Sequence, residues 1–458
     1  MNTSLNEKKL TLNSASLRQE GDMNKVIRPI HYLGSKLRVL EVIVKQIDKI
    51  SEKKLKVLDL FSGSTVVSQA LADSGHQVTS NDVMGYSQSF AIATLGIGRC
   101  LENDILEKVR ATLFTEYKNN KLHSFFNEII ELECSCITNQ NGLELLNLIE
   151  SGPKIWSKQV RNQSLLIAYK NLKMLEGFTA FENPILVTSF YGGTYFGYKQ
   201  ATEIDNLRFI IEKCANAGTI SPWAKRAALT ALLSAASLAA FTPGKHFAQY
   251  HKVTGKIDTK FHEKRILADR KVNILDEFNK ALKIIFSRKN DGNHVALNFS
   301  MEDLSQNLGE ESFDVIYADP PYTAQQYSRF YHIPEVINCY EVPKLQIVKG
   351  EVTSGVYGID RFKSRFSSKK EAPEAFKDLA RLALSKNADL LLSYSGNING
   401  NSGNGRMITL EELTSILGSF FQSVEVVQLD LLYRQFNSNA LAVNDRGDRE
   451  YMIHCKIC

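Results

Sequence analysis

The chain has 458 residues, 43% hydrophobic and 23% charged, with 27 glycines and 10 prolines. This is an ordinary globular composition that excludes disordered, collagen-like and coiled-coil architectures, and the length has room for two or three units of about 150 residues. The balance of 55 Lys and Arg against 50 Asp and Glu, a net +5, permits a nucleic-acid partner without requiring one.

Residues 1–24 are polar throughout, with no apolar run of the kind a signal peptide or anchor needs, so a cytoplasmic protein is expected. Lys56 to Leu60 (KVLDL) reads as a buried parallel strand, turned by Phe61-Ser62-Gly63-Ser64 into a helix carrying Val66, Val67, Ala70 and Leu71 at helical spacing. Gly75 ends that helix, and Gln77 to Asp82 forms a second strand, completing a βαβ unit.

From 101 to 294 the pattern is helical: Glu102 to Asn119, His123 to Glu133, Leu143 to Ile149, Gln163 to Leu175, Ala201 to Asn216 and a helix opening at Pro222 behind Ser221 as N-cap. Ala227 to Phe241 lacks charge but is too short for a membrane span, and reads as a buried Ala-rich core helix stopped by Thr242-Pro243-Gly244. Strand texture resumes with Phe313 to Ala318. It continues through a helix (Pro373 to Lys386), a strand (Asp389 to Ser395) and a helix (Leu410 to Phe420). Two strands, Val424 to Leu432 and Tyr451 to Ile457, form an antiparallel hairpin across a loop holding Asn444-Asp445-Arg446-Gly447. The expected fold is α/β: a Rossmann-like, mostly parallel sheet with a C-terminal antiparallel hairpin, built from residues 25–100 and 295–458 and interrupted by a helical insertion at 101–294. Seven cysteines at scattered positions do not form a disulfide framework. Cys134, Cys136, Cys455 and Cys458 lack the clustered spacing of a zinc site, so no metal is expected.

Asp319-Pro320-Pro321-Tyr322 follows directly on the Phe313 to Ala318 strand, at the carboxyl end where open α/β sheets bind ligands. Two prolines donate no N–H and stiffen the chain, leaving the Pro320 carbonyl beside the Asp319 carboxylate. Two acceptors suit an amine with two N–H donors, such as that of a nucleobase, and Tyr322 offers a face for stacking. The plainer reading is a proline-rich strand exit. Asp59-x-Phe61-x-Gly63 ends the first strand with a turn that lets a ligand approach the backbone. Asp82, 23 residues on, ends the next strand where an acid can accept from ribose hydroxyls. No phosphate-cradling glycine motif occurs, which favours S-adenosylmethionine over NAD, FAD or ATP.

Taken together these residues resemble the DPPY-box adenine-specific DNA methyltransferases of the Dam-like kind. His31-Tyr32-Leu33-Gly34-Ser35-Lys36 resembles that family's aromatic-x-Gly-x-Lys box, which implies that Tyr32, Gly34 and Lys36 lie at the methionine end of the cofactor. Asp59, Phe61 and Gly63 match its D-x-F-x-G motif, Asp82 its ribose acid, Asp303 its acid beside the cofactor adenine, and Asp319, Pro320 and Tyr322 its catalytic box. Likeness to a subgroup extends through Tyr191 to Phe196, Glu203 to Asp205, Gln326 to His332 and Arg361 to Lys370, and covers most of 26 to 430. The chain departs at Ser64, where the family more often has Gly, and at Ser35.

The resemblance implies methyl transfer from S-adenosylmethionine to N6 of an adenine flipped out of duplex DNA, with the insertion reading the target. It further implies a restriction-modification or phage-defence setting, with cleavage by a separate endonuclease or defence subunit. Carbon-5 cytosine chemistry would need a Pro-Cys nucleophile, and no proline here precedes a cysteine. Methylation of cytosine's exocyclic amine, an RNA base methyltransferase and an inactive methylase-like DNA-binding protein are the alternatives. Arg361, Lys363, Arg365, Lys369 and Lys370, interleaved with Phe362 and Phe366, read as phosphate contacts. Tyr191 to Lys199 (YGGTYFGYK) reads either as aromatics that stack or wedge into DNA or as a Tyr-rich packing loop.

Overall fold

The computed structural model describes residues 8–9, 26–99, 105–119, 126–157, 184–252, 259–289, 293–395, 405–432 and 449–457. The helix expected at Gln163 to Leu175 and the loop at Asn444 to Gly447 lie outside the described residues, as does Cys458.

Seven strands make one sheet: β1 (Lys56–Asp59), β2 (Gln77–Asn81), β3 (Val295–Leu297), β4 (Val315–Ala318), β5 (Asp389–Ser395), β6 (Ser423–Leu432) and β7 (Arg449–Lys456). Their order is 6-7-5-4-1-2-3, and Lys8–Lys9, inside the segment read as a polar tail, add a two-residue strand parallel to the outer edge of β6. The pairs β3–β2, β2–β1, β1–β4 and β4–β5 are parallel, and β7 runs antiparallel between β5 and β6. Strand order reverses between β1 and β4, which opens a crevice at their carboxyl ends.

Strands covered on both faces need apolar side chains on both, and β1, β4 and β5 have them. Val57, Val315 and Leu391 share one cluster with Ile43 and Ile47 of α1 (Leu40–Asp48) and Leu71 of α2 (Val66–Asp73). Leu58, Ile316 and Leu392, one residue on, face the opposite way with the two helices that flank β5 in sequence. After β2 comes α3 (Gly85–Thr94), then the insertion: α4 (Ile105–Asn119), α5 (Asn127–Thr138), α6 (Gly142–Ser151), α7 (Leu186–Tyr191), α8 (Tyr198–Asn216), α9 (Pro222–Ala239), α10 (Thr259–Arg270) and α11 (Ile274–Ser287). Following β3 are α12 (Met301–Asn307), α13 (Tyr327–Phe330), α14 (His332–Cys339), α15 (Ala372–Ser385) and α16 (Leu410–Gly418). Phe376 and Leu379 of α15 and Leu413 and Leu417 of α16 cover the second face.

The Ala-rich helix is α9. Ser221 Oγ accepts from the Ala224 N–H (3.2 Å), Pro222 opens the first turn, and the small side chains bring the helix against α3 and α11. Tyr86 and Phe90 of α3 and Ile333 and Ile337 of α14 belong to the insertion's own apolar cluster. Arg288 ties the end of the insertion back to the sheet layer, donating to the Thr94 carbonyl and to Asp73 Oδ1 (both 2.7 Å). The insertion thus shares a core with helices on either side of it in sequence. Among the described residues no helix is long and apolar enough to cross a membrane.

Candidate active site

β1 ends on Asp59 and β4 is followed at once by Asp319, and because the two strands are parallel and adjacent, both acids emerge at the same end of the sheet. A cleft open to solvent lies there. Tyr32, Gly34, Lys36, Asp59, Phe61 and Gly63 line it, as do Asp82 and Asp319.

Tyr32 stacks on Tyr331 with centroids 4.4 Å apart and planes 6° apart. The Leu33 N–H donates to the Tyr331 hydroxyl (2.6 Å), so the segment before the sheet is held against α13 and α14. Gly63 has φ +50°, and a Cβ there would stand 2.8 Å from the Tyr32 ring. Only glycine fits both demands. Its N–H donates to Asp82 Oδ2 while Met84 N–H donates to Oδ1, both 2.9 Å. Beyond it Thr65 takes the left-handed conformation at φ 63°, where a β-branched residue is strained.

Burial, which penalises the charged form, pushes the Asp59 carboxyl up to about 7 against a hydrogen bond from Ser68 Oγ (2.5 Å). Burial likewise raises Asp82 to about 6 against its two backbone N–H donors. Asp319 is raised to about 6, again by burial, with Lys36 pulling it down and Glu450 pushing it up. The Lys36 ammonium, 4% exposed, stands 3.2 Å from Asp319 Oδ1 and 3.3 Å from Glu450 Oε1. The cleft therefore carries a surplus of carboxylates, Asp59 buried and Asp82 and Asp319 part-buried, over cations. That donor set fits a cationic nucleoside cofactor better than one bearing phosphates.

Asp303 and two residues of the DPPY box are placed differently from the cleft-lining set. Asp303 is not among the lining residues: Ser300, the N-cap of α12, donates its hydroxyl to Asp303 Oδ2 (2.7 Å) and accepts from the Asp303 N–H (3.1 Å). Met301 and Glu302 line the cleft instead. The signal was present in Ser300-x-x-Asp303, a capping-box spacing. Pro320 and Tyr322 are buried and Pro321 lines the cleft. The Tyr322 ring meets Tyr394 edge-on at 5.6 Å, and the Arg406 guanidinium lies 4.9 Å from its centroid.

The basic run divides. Lys363, Lys369 and Lys370 are exposed, but Arg361 Nη1 donates to Gln346 (2.7 Å) and to the Gly358 carbonyl (3.1 Å). Arg365 pairs with Asp378 (2.8 Å) and with Glu302 (3.3 Å), and forms part of the cleft wall beside Phe366. Tyr191 to Lys199 resolves toward packing. Tyr191, Tyr195, Phe196 and Tyr198 are all fully buried, and a Cβ at Gly193, φ +73°, would stand 2.5 Å from the Tyr198 hydroxyl. Among the described residues no His, Cys, Asp and Glu cluster could hold a metal ion.

Glu450 and Glu302 join the site with no sequence motif pointing to them, and Tyr331, within the Gln326 to His332 stretch, joins it through Tyr32. Glu450 is 7% exposed and reaches Lys36 across 414 residues of sequence, a contact without a local signature.

Residues 32–222 match the family model described as D12 class N6 adenine-specific DNA methyltransferase. The match stops short of Asp319. The chain is 24% identical over 416 residues to the modification methylase StsI of Streptococcus sanguinis, covering 91% of this chain and 50% of that protein. It is 27% identical over 265 residues to the modification methylase LlaI of Lactococcus lactis subsp. lactis (57% and 37%). It is also 27% identical over 225 residues to the type II methyltransferase M.FokI of Planomicrobium okeanokoites (49% and 29%). The chain thus spans half or less of the length of these relatives. The strand order and the single reversed strand are consistent with a methyltransferase fold.

Proposed function

From the match of residues 32–222 to the D12 class N6 adenine-specific DNA methyltransferase family model, we propose that this protein transfers the methyl group of S-adenosylmethionine to the exocyclic N6 amine of an adenine flipped out of duplex DNA. The observation that carries the reading is the placement of the Asp319 carboxylate at the end of β4, in the same cleft as Asp59 and Asp82.

Asp82, beside the Gly63 turn, accepts from ribose hydroxyls, and Tyr32, Gly34 and Lys36 lie toward the methionine end. Bound there, S-adenosylmethionine would supply an electrophilic methyl group on a positively charged sulfur. Asp319 accepts from the target amine, which raises electron density on that nitrogen, and the stiff Pro320-Pro321 step fixes the carboxylate's position. Flipping the base costs a few kcal/mol of unstacking, repaid by contacts in the site. No covalent intermediate is needed, so no nucleophilic thiol is required.

Lys363, Lys369 and Lys370 serve the phosphate backbone, and the helical insertion contributes target recognition. The relatives are named modification methylases, which favours a restriction-modification or phage-defence role in which a separate endonuclease or defence subunit cuts the DNA. Incubation of the chain with methyl-labelled cofactor and plasmid DNA, followed by nucleoside analysis, places the label on N6-methyladenine. Label on cytosine, or on RNA alone, overturns the adenine assignment. Asp319→Ala lowers transfer by about 10²- to 10³-fold, the usual cost of one transition-state partner, and leaves cofactor affinity within a few-fold. Transfer by that variant at the wild-type rate removes Asp319 from the mechanism.

A further inference from the structure

Side chains alternate along strands, so one face of the sheet carries Asp59 on β1, Tyr317 on β4, Ser393 on β5 and Glu450 on β7, in the same parity as the apolar Val57, Leu391 and Met452. At the carboxyl ends of the parallel strands that face turns from apolar to polar. Glu450 pairs in register with Ser395, the last residue of β5, and a register shift between Arg449 and Glu450 marks where β7 enters the sheet. Lys36 enters this row from the segment before α1 and sits between two carboxylates, 3.2 Å from Asp319 and 3.3 Å from Glu450.

Resting on the methyltransfer reading, we propose that Glu450 is a positioning residue that holds the Lys36 ammonium so that Asp319 is left able to accept a hydrogen bond from the target amine. Asp319 can serve the amine only with lone pairs that Lys36 does not occupy. An ammonium with one carboxylate neighbour would settle on it, and the acceptor would be both engaged and less basic. With Glu450 on its other side, Lys36 retains a charged partner when Asp319 turns to the base. Its proton stays on nitrogen throughout, and the group moves by a fraction of a hydrogen-bond length. Glu450 Oε2, buried and without a hydrogen-bond partner among the described residues, has acceptor capacity to spare for the ammonium.

Among the described residues, the titratable groups that face Asp319 are Lys36 before α1, Asp59 on β1, Tyr317 on β4 and Glu450 on β7. Of these, Glu450 is the anion that shares its cation. Removing that charge strengthens the hold of Lys36 on Asp319 and lowers the pH at which Asp319 takes up a proton.

The test is single-turnover methyl transfer to plasmid DNA as a function of pH, with cofactor affinity by calorimetry as the check on folding. Glu450→Gln is expected to slow transfer at neutral pH by about tenfold or more, to keep cofactor affinity within threefold, and to move the acid limb of the pH profile to lower pH. Glu450→Asp, which keeps the charge, is expected to restore the position of the limb and part of the rate. An unchanged rate and limb in Glu450→Gln overturns the proposal. So does a slowed rate with an unmoved limb, which assigns Glu450 a structural role only. Failure of the wild-type chain to methylate adenine at all overturns the functional reading itself, and the positioning role falls with it.

Discussion

Asp205, buried in the middle of the helical insertion, and Asp319, part-buried at the end of β4, are both carboxylates taken largely out of water, yet they are treated in opposite ways. Asp205 accepts from the Val187 and Thr188 N–H groups (both 2.8 Å) and from the Thr188 and Tyr340 hydroxyls (both 2.7 Å). It thereby caps the start of α7 and joins α8 to the residue that ends α14. Asp319 has the Lys36 ammonium, shared with Glu450. Burial raises Asp205 and Asp59 alike, both to about 7, so a displaced proton affinity does not by itself separate scaffold from site. The donors do. A carboxylate enclosed by four donors is finished when the chain folds, whereas one left with a shared cation is finished only when something binds.

The largest expected effect tests that contrast through stability. Asp205→Ala strands two backbone N–H groups and two hydroxyls in the core, and should cost at least about 3 kcal/mol in denaturant unfolding. Asp319→Ala removes an acid whose desolvation is poorly repaid and leaves Lys36 with Glu450, so it should change stability by less than about 1 kcal/mol in either direction. Similar losses from both substitutions would erase the distinction between the two regions.

A second consequence concerns pH. Asp59, Asp82 and Asp319 have folded-state proton affinities raised to about 7, 6 and 6 from an ordinary value near 4. Between pH 4 and 7 the folded protein therefore holds protons that the unfolded chain has released, and the stability these groups contribute at low pH is lost as pH rises through 6 to 7. A cationic cofactor prefers the ionised carboxylates, so its affinity moves the other way. Calorimetry should find binding about tenfold tighter at pH 7.5 than at pH 5.5, with proton release on binding near pH 6. A pH-independent affinity would mean that the surplus of carboxylates does not meet the ligand's charge. Asp205 titrates in the same range, but its shift should be insensitive to cofactor.

Much of this arrangement was legible in the sequence because it is local. Apolar runs ending on Asp59 and Ala318, with turn residues directly after them, are enough to place two acids at one end of a parallel sheet. What escaped is non-local or depends on rotation about a helix. Asp303 and Glu302 are adjacent residues of one first turn, about 100° apart around its axis, and the side that faces the cleft is set by Ser300 capturing Asp303. The aromatics of Tyr191 to Lys199 have the same composition whether they wedge into DNA or pack. Only the surrounding buried groups decide it, such as Glu133, which accepts from the Tyr198 and Lys199 N–H groups (both 3.1 Å) at the start of α8. Glu450 is a strand residue like its neighbours until β7 is inserted between β5 and β6.

The smallest expected effect concerns the basic run after the DPPY box, where the same division between finished and unfinished charges recurs within a few residues. Arg365 is committed to Asp378 on α15 and to Glu302 on α12, so it buttresses the cleft wall, while Lys363, Lys369 and Lys370 are exposed. A cation already paired releases few counterions when DNA arrives, whereas a solvated one releases about one. Each of Lys363→Gln, Lys369→Gln and Lys370→Gln should therefore weaken DNA binding a few-fold and flatten the dependence of log affinity on log salt by about one unit, with cofactor affinity unchanged. Arg365→Gln should do the reverse, weakening cofactor binding through Glu302 and the Phe366 wall while leaving the salt slope nearly where it was. A salt slope that falls as much for Arg365 as for the lysines would show that the Asp378 pair opens to admit phosphate, and would move Arg365 from the scaffold to the DNA surface.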